Sequence, residues 1–238
     1  MTAAVLEVTG VSKDYHGLRP LRIHALTVAA GEQVALLGLD RVSAEVFVNL
    51  ITGASLPDAG AIRVFGRPTS DISDSDEWLA MVDRFGIVSP RAVLLDQLSV
   101  IQNLAMPFTL DIEPPTDAIR GRAEALAREV GLAPSTWEAP VAELDAASLA
   151  RVRFGRALAL DPGVLLLEHV SAGLTGEAAA AFGRDLREVA SRRGAAIVAA
   201  TADEAFARAT AGRVLEWAPA TGRLTAAGRG RWFGRLLG

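Results

Sequence analysis

One short stretch, Gln33-Val-Ala-Leu-Leu-Gly38, constrains the fold more than any other. Four consecutive apolar residues are too few for a helix and too uniformly apolar for a strand with one wet face, and Gly38 ends the run. Beyond it the period changes, because Val46-Phe-Val-Asn-Leu-Ile51 spaces its apolar side chains as a helix does. A buried strand, a glycine turn and a helix in that order open a parallel β–α unit. The same kind of run returns at Val164-Leu-Leu-Leu-Glu168 and at Ala195-Ala-Ile-Val-Ala-Ala200, with a helical stretch, 176–193, between them. The chain therefore reads as α/β, with a parallel sheet covered on both faces.

Other segments alternate. Residues 5–9 and 21–28 read as strands of a small sheet, and a third, 61–65, follows the turn Pro57-Asp-Ala-Gly60. Residues 69–80 read as a helix with Asp71, Asp74 and Asp76 crowding its start, and Phe85-Gly-Ile-Val88 as a further strand. Helical spacing then holds over 97–107 and 116–131, which predicts a helical insertion over about 95–150 within one domain spanning 1–238. Half of the 238 residues are hydrophobic, enough for a sizeable core without covalent staples, and there is no cysteine. A net charge of −4 argues against bulk attraction to nucleic acid. No run approaches the ~20 apolar residues of a membrane helix, and the first residues lack the pattern of an export signal, so a cytoplasmic location is expected. His16 and His24 have no partners at ligand spacing, and no metal site is expected.

The strand–loop–helix context at Gly38 is the one a phosphate-binding loop requires. Laid from Gly38, the pattern G-x-x-x-x-G-K-[ST] puts Ser43 at the second glycine, Ala44 at the lysine and Glu45 at the hydroxyl. The glycine lets backbone approach a phosphate, the lysine neutralises its charge and the hydroxyl ligates magnesium. Ala44 brings no charge and Glu45 adds a negative one. Lys13 is the only lysine in the chain, so none can be borrowed, and Arg41 is a weak substitute. Asp40 and Glu45 have two readings: solvated loop residues, or an internal carboxylate at the positive end of the helix, where a phosphate would otherwise sit.

Segments such as "GEQVALLG", "NLITGASLPDAGAIRVFGR" and "RALALDPGVLLLEHVSAGL" give the chain a close resemblance to the ATP-binding cassette ATPases from about residue 5 to 225. The resemblance implies a RecA-like P-loop NTPase core, an N-terminal antiparallel β subdomain and an inserted α-helical subdomain. It also implies subunits that dimerise head to tail, use Mg-ATP and drive a membrane transporter. At each nucleotide-handling position the letters differ. The family's glutamine falls on Pro90, and the signature L-S-G-G-Q falls on Leu144, Asp145, Ala146, Ala147 and Ser148. The metal-ligating aspartate falls on Glu168, the catalytic glutamate on His169, the D-loop aspartate on Thr175 and the switch histidine on Ala202. Tyr15 stands where the resemblance places the aromatic that stacks on adenine. Its other reading is a packed surface aromatic, and that of His169 is a satisfied polar residue at a strand end.

The resulting expectation is a pseudo-ATPase with no resident cofactor, partnered by a membrane permease, another cassette ATPase or both, as homodimer or heterodimer, peripheral at the inner face of the membrane. In the family, a permease helix inserts beside the strand that ends near Pro90. The matching positions here, Val93, Leu94, Leu95, Leu98 and Met106, are apolar and suit either helix docking or core packing. Two rivals stand beside this reading. One is a working subunit that uses Arg41 for the lysine, Glu45 or Glu168 for magnesium and His169 near the water. The other is a soluble regulator on the same scaffold. The tail 229–238 interleaves three arginines with Trp232, Phe233, Leu236 and Leu237, and reads as a membrane or partner contact or as a frayed terminus.

Overall fold

The computed structural model describes residues 3–72 and 74–228, so the reading of the tail 229–238 falls outside the described residues. Strands β1 (Ala4–Lys13) and β2 (Leu21–Ala29) form an antiparallel pair, and β3 (Gln33–Leu37) leads into helix α1 (Arg41–Ile51). Strands β4 (Ala59–Val64) and β5 (Arg67–Pro68) complete a four-stranded sheet in the order β2-β1-β4-β5. Helix α2 (Ser75–Val82) and strand β6 (Phe85–Val88) follow. Then come three helices, α3 (Val100–Ala105), α4 (Asp117–Glu129) and α5 (Ala146–Ala157). The chain closes with β7 (Val164–Glu168), α6 (Gly176–Arg193), β8 (Ala196–Thr201), α7 (Glu204–Thr210), β9 (Arg213–Ala218) and β10 (Arg223–Ala226).

The second sheet has the order β10-β9-β3-β8-β7-β6, parallel from β9 to β6 with β10 antiparallel at one edge. Its strands are apolar on both sides because each side meets a different core. Ala35, Leu165, Leu167, Ile197 and Ala199 point into the core shared with the helical region and α6. Their neighbours Val34, Leu36, Val164, Leu166 and Val198 point into the core under α1 and the antiparallel sheet. Period-two alternation of this kind explains why the sequence shows runs instead of a polar stripe.

Two expected elements shift. The helix expected over 69–80 begins later, at Ser75, because Asp74 accepts the amide of Glu77 at 2.8 Å and caps it, and residues 69–71 form a separate 3-10 turn. The helix expected from residue 97 begins at Val100. Residues 96–98 form a turn instead, the Leu98 amide donating to the Leu95 carbonyl and the Leu98 carbonyl accepting the amide of Val141, each at 3.0 Å, and a Ser99–Gln102 capping box starts the helix behind it.

Candidate functional site

The parallel strands β3, β6, β7 and β8 end side by side, and a crevice beyond such carboxyl ends is where open α/β sheets place their sites. Gly38 follows β3 with φ 98°, and a Cβ there would lie 3.2 Å from the Trp217 carbonyl oxygen, so both conformation and space require glycine. Only Leu39 and Asp40 separate it from α1. The stretch aligned with the phosphate loop is thus largely wound into the first helical turn. Within that turn Ser43 is 1% exposed and Ala44 is 0% exposed, packed with Phe47 and Leu50 in the core under the antiparallel sheet.

Asp40 caps the helix. Its Oδ1 accepts the backbone amide of Ser43 at 2.7 Å and the Ser43 hydroxyl at 2.7 Å, while its carbonyl accepts the amide of Ala44 at 2.9 Å. The Ser43 amide, then the Ser43 hydroxyl, hold the Asp40 carboxyl below the usual carboxylate range, with a smaller contribution from His169. Of the two acids, Asp40 is the helix cap, and it is exposed. Tyr15 packs partly buried beside it, and burial followed by the negative charge of Asp40 pushes the Tyr15 hydroxyl up. Arg41 is exposed.

Glu45 turns the other way, toward Arg91, whose Nη1 lies 2.8 Å from its Oε1. The same guanidinium grips Glu168 at the end of β7: Nη2 donates to Oε1 and Oε2 at 2.8 Å each, and Nε donates to Oε2 at 3.0 Å. Glu168 is 4% exposed, and the Ser89 hydroxyl adds a bond to its Oε2 at 2.8 Å. This is a bidentate arginine–carboxylate pair, among the stronger polar contacts available to a protein. The sequence reading does not single out Arg91. The available signal was a lone arginine one residue after Pro90, in a chain with two otherwise unpartnered acids at aligned metal positions.

His169 takes φ 45°, held by its amide donating to the Ala200 carbonyl at 2.8 Å. Its buried Nε2 has no hydrogen-bond partner among the described residues. Ala202 is exposed just past β8, and the neighbouring Asp203 caps α7 through the amide of Phe206 at 3.0 Å. Thr175 caps α6.

In the helical region, the five residues aligned with the signature open α5. Leu144 precedes the helix, Asp145 caps it by accepting the Ser148 amide at 2.7 Å, and Ala146 and Ala147 form the first turn. That amide holds the Asp145 carboxyl below its usual range. A small cavity of about 100 Å³ lies between Ser89, Pro90, Ala146, Leu149, Arg153 and Val170. Of the apolar positions after Pro90, Val93 is 74% and Leu95 38% exposed. Leu94 is buried, and Leu98 and Met106 pack against the core.

No protein-family model matches the chain. Among characterised proteins it is 30% identical over 209 residues to the lipoprotein-releasing system ATP-binding protein LolD of Myxococcus xanthus, covering 86% of this chain and 92% of that protein. It is 34% identical over 201 residues to the ribose import ATP-binding protein RbsA 1 of Burkholderia thailandensis, covering 82% of this chain and 38% of that protein. It is 27% identical over 214 residues to the methionine import ATP-binding protein MetN of Brucella abortus, covering 90% of this chain; it spans 57% of that longer protein. Two solved structures share the fold. The cbiO1 structure from Clostridium perfringens, part of the ABC transporter complex cbiONQ, superimposes with a TM-score of 0.78 at 24% identity, over 93% of this chain and 87% of that one. The ATP-binding cassette MJ0796, in a dimeric state bound to ADP and Pi, gives 0.74 at 20% identity, over 94% and 99%.

Proposed function

Because the chain belongs to the family of ABC transporter ATP-binding proteins, we propose that it is a cassette subunit that keeps the scaffold without nucleotide turnover, serving as a structural or regulatory partner of a membrane permease, of an intact cassette ATPase, or of both. The observation that carries this reading is the Asp40 carboxylate seated on the Ser43 amide and hydroxyl, with Ala44 buried at the lysine position behind it.

Mg-ATP does not fit these residues. Its phosphates would meet a carboxylate already bonded to the helix amide and would find no lysine. Its metal would have to compete with the Arg91 guanidinium for Glu45 and Glu168. In the second composite site of a head-to-tail pair, Asp145 occupies the helix end where the family's serine meets phosphate, and its charge repels an anion. Tyr15 alone remains to meet adenine, and stacking worth roughly 1–3 kcal/mol corresponds to binding weaker than millimolar.

The partner side of the proposal draws on the relatives. LolD belongs by name to a lipoprotein-releasing system and cbiO1 to an ABC transporter complex, and MJ0796 is dimeric. Among the described residues no helix is long and apolar enough to cross a membrane, which suits a peripheral subunit held by a permease at the cytoplasmic face. Val93 and Leu95 are the exposed apolar side chains that a permease helix would meet. In a head-to-tail pair with an intact cassette, one composite site would contain the Asp40 loop and the other the Asp145 helix end, so both would be impaired.

Calorimetry of the purified protein with Mg-ATP tests the reading. The expected result is no saturable heat at millimolar nucleotide and no hydrolysis above background, alone or mixed with an intact cassette subunit. Tight retention and cleavage of Mg-ATP, or full stimulated turnover from the mixed dimer, would refute it.

A further inference from the structure

The misfit with a metal–nucleotide complex has a constructive side. We infer that Arg91 is a resident cation, standing where Glu45, Glu168 and Ser89 converge as hard-oxygen donors, and that it fixes the segment 89–95 in one posture that no ligand controls. The inference deepens the proposed function, since it explains how a cassette scaffold holds this region without magnesium.

Three observations converge. First, the donor set is one that a divalent cation favours, two carboxylates and a hydroxyl, yet all three oxygen groups already turn to other partners. Glu168 receives three bonds from Arg91 and one from Ser89, and Glu45 meets the remaining guanidinium nitrogen. A planar fork makes this bridge geometrically; a lysine ammonium would meet one carboxylate as a point charge. Second, the buried carboxylate needs a counter-charge wherever it comes from, because an unpaired ion at 4% exposure is costly. Third, the backbone around Arg91 is pinned at nearly every residue. The Arg91 amide donates to the Ser89 hydroxyl at 3.1 Å and the Ala92 amide to the Ser89 carbonyl at 3.0 Å. From α5, Arg153 Nε donates to the Ala92 carbonyl at 3.3 Å and Arg156 Nη1 to the Val93 carbonyl at 2.6 Å. Buried Asn103 accepts the Leu95 amide at 2.9 Å and donates to the Leu95 carbonyl at 3.1 Å. A segment that responds to ligand is drawn from the low-stability end of a fold. Here the segment that carries exposed Val93 is tied to β7, α1, α3 and α5 at once.

Thermal unfolding and hydrogen exchange of the wild type, Arg91→Ala, Arg91→Lys and the double variant Arg91→Ala/Glu168→Gln, each with and without millimolar MnCl2 and without nucleotide, test the inference. The wild type is expected to keep its midpoint and its slow exchange over 89–95 whether or not Mn2+ is present. Arg91→Ala is expected to lose about 5–10 °C in midpoint and to exchange faster over 89–95, with Mn2+ recovering part of both losses. The double variant should show no such recovery. If Arg91→Ala does not fold, Arg91→Lys carries the test, with faster exchange over 89–95 and a smaller loss of midpoint expected. The inference is overturned if the wild type itself gains stability from Mn2+, if Mn2+ restores nothing in Arg91→Ala, or if exchange over 89–95 is unchanged in both substitutions. Nucleotide is absent throughout, so Mg-ATP binding by the wild type would sink the proposed function without altering these readings.

Discussion

The N-termini of α1 and α5 begin with the same local device, an aspartate cap bonded to a serine amide three residues on, yet they are embedded in opposite ways. At α1 the serine is buried and returns a second bond through its hydroxyl, and the next residue, Ala44, lies in the core beneath the antiparallel sheet. At α5 Ser148 is only half-buried and Ala146, in the first turn, is exposed, while both capping aspartates themselves are exposed. The same Asp–x–x–Ser cap can thus seat its serine in the core or leave it half-exposed. It also bears on the proposed loss of turnover, because restoring a phosphate loop at α1 would require rebuilding the core, while α5 could be altered at little cost.

The sharpest way to break this contrast is to place a lysine at each helix start. Ala44→Lys should cost about 3 kcal/mol or more, from overpacking and from a charge driven into an apolar pocket, whereas Ala146→Lys should stay within about 0.5 kcal/mol. Denaturant unfolding would measure both, and equal effects would mean that Ala44 is less confined than its burial indicates. Removing the caps comes next in size. Asp40→Ala is expected to lose about 1–2 kcal/mol and Asp145→Ala about 0.5–1 kcal/mol, with circular dichroism melts reading the order. Reversal of that order would show that the hydroxyl bond and the burial of Ser43 add nothing.

The smallest effect is in the pH dependence. Hydrogen bonds to the charged form depress both aspartates in the folded state. Their stabilisation is therefore fully present above the unfolded carboxylate value of about 3.9, and it is lost as pH falls through the depressed folded values. Stability measured between about pH 5 and pH 2 should fall less steeply in Asp40→Asn than in the wild type, with a weaker flattening in Asp145→Asn. An unchanged slope in Asp40→Asn would show that the cap carries no net charge preference.

Much of the architecture was readable in the chain. The runs 33–37 and 164–168 announced strands buried on both faces, and the alternating segments 5–9, 21–28 and 61–65 announced the small sheet. Strands β9 and β10 were not read, because Leu215 and Trp217 alternate with polar residues in too short a stretch to stand out. The substituted site letters were legible one by one, as was the possibility that an acid at Asp40 or Glu45 would sit at the helix start. Which acid did so was not, because both lie within reach of the same turn in sequence. Leu94 looked like a groove residue and proved to be core, since helical packing around α3 and α5 decides which leucines face outward.

By itself the sequence determined the local grammar: where strands are wholly apolar, where helices are capped, and which charges are missing from the loop. Those properties follow from the preferences of neighbouring residues and need no distant partner. Tertiary structure alone decided that Arg91 answers Glu45 and Glu168, residues that lie 46 and 77 positions away from it in the chain. The parallel sheet brings the ends of β6 and β7 and the first turns of α1 into one crevice. A buried carboxylate such as Glu168 pairs with whatever opposite charge the fold sets beside it, whatever the separation along the backbone.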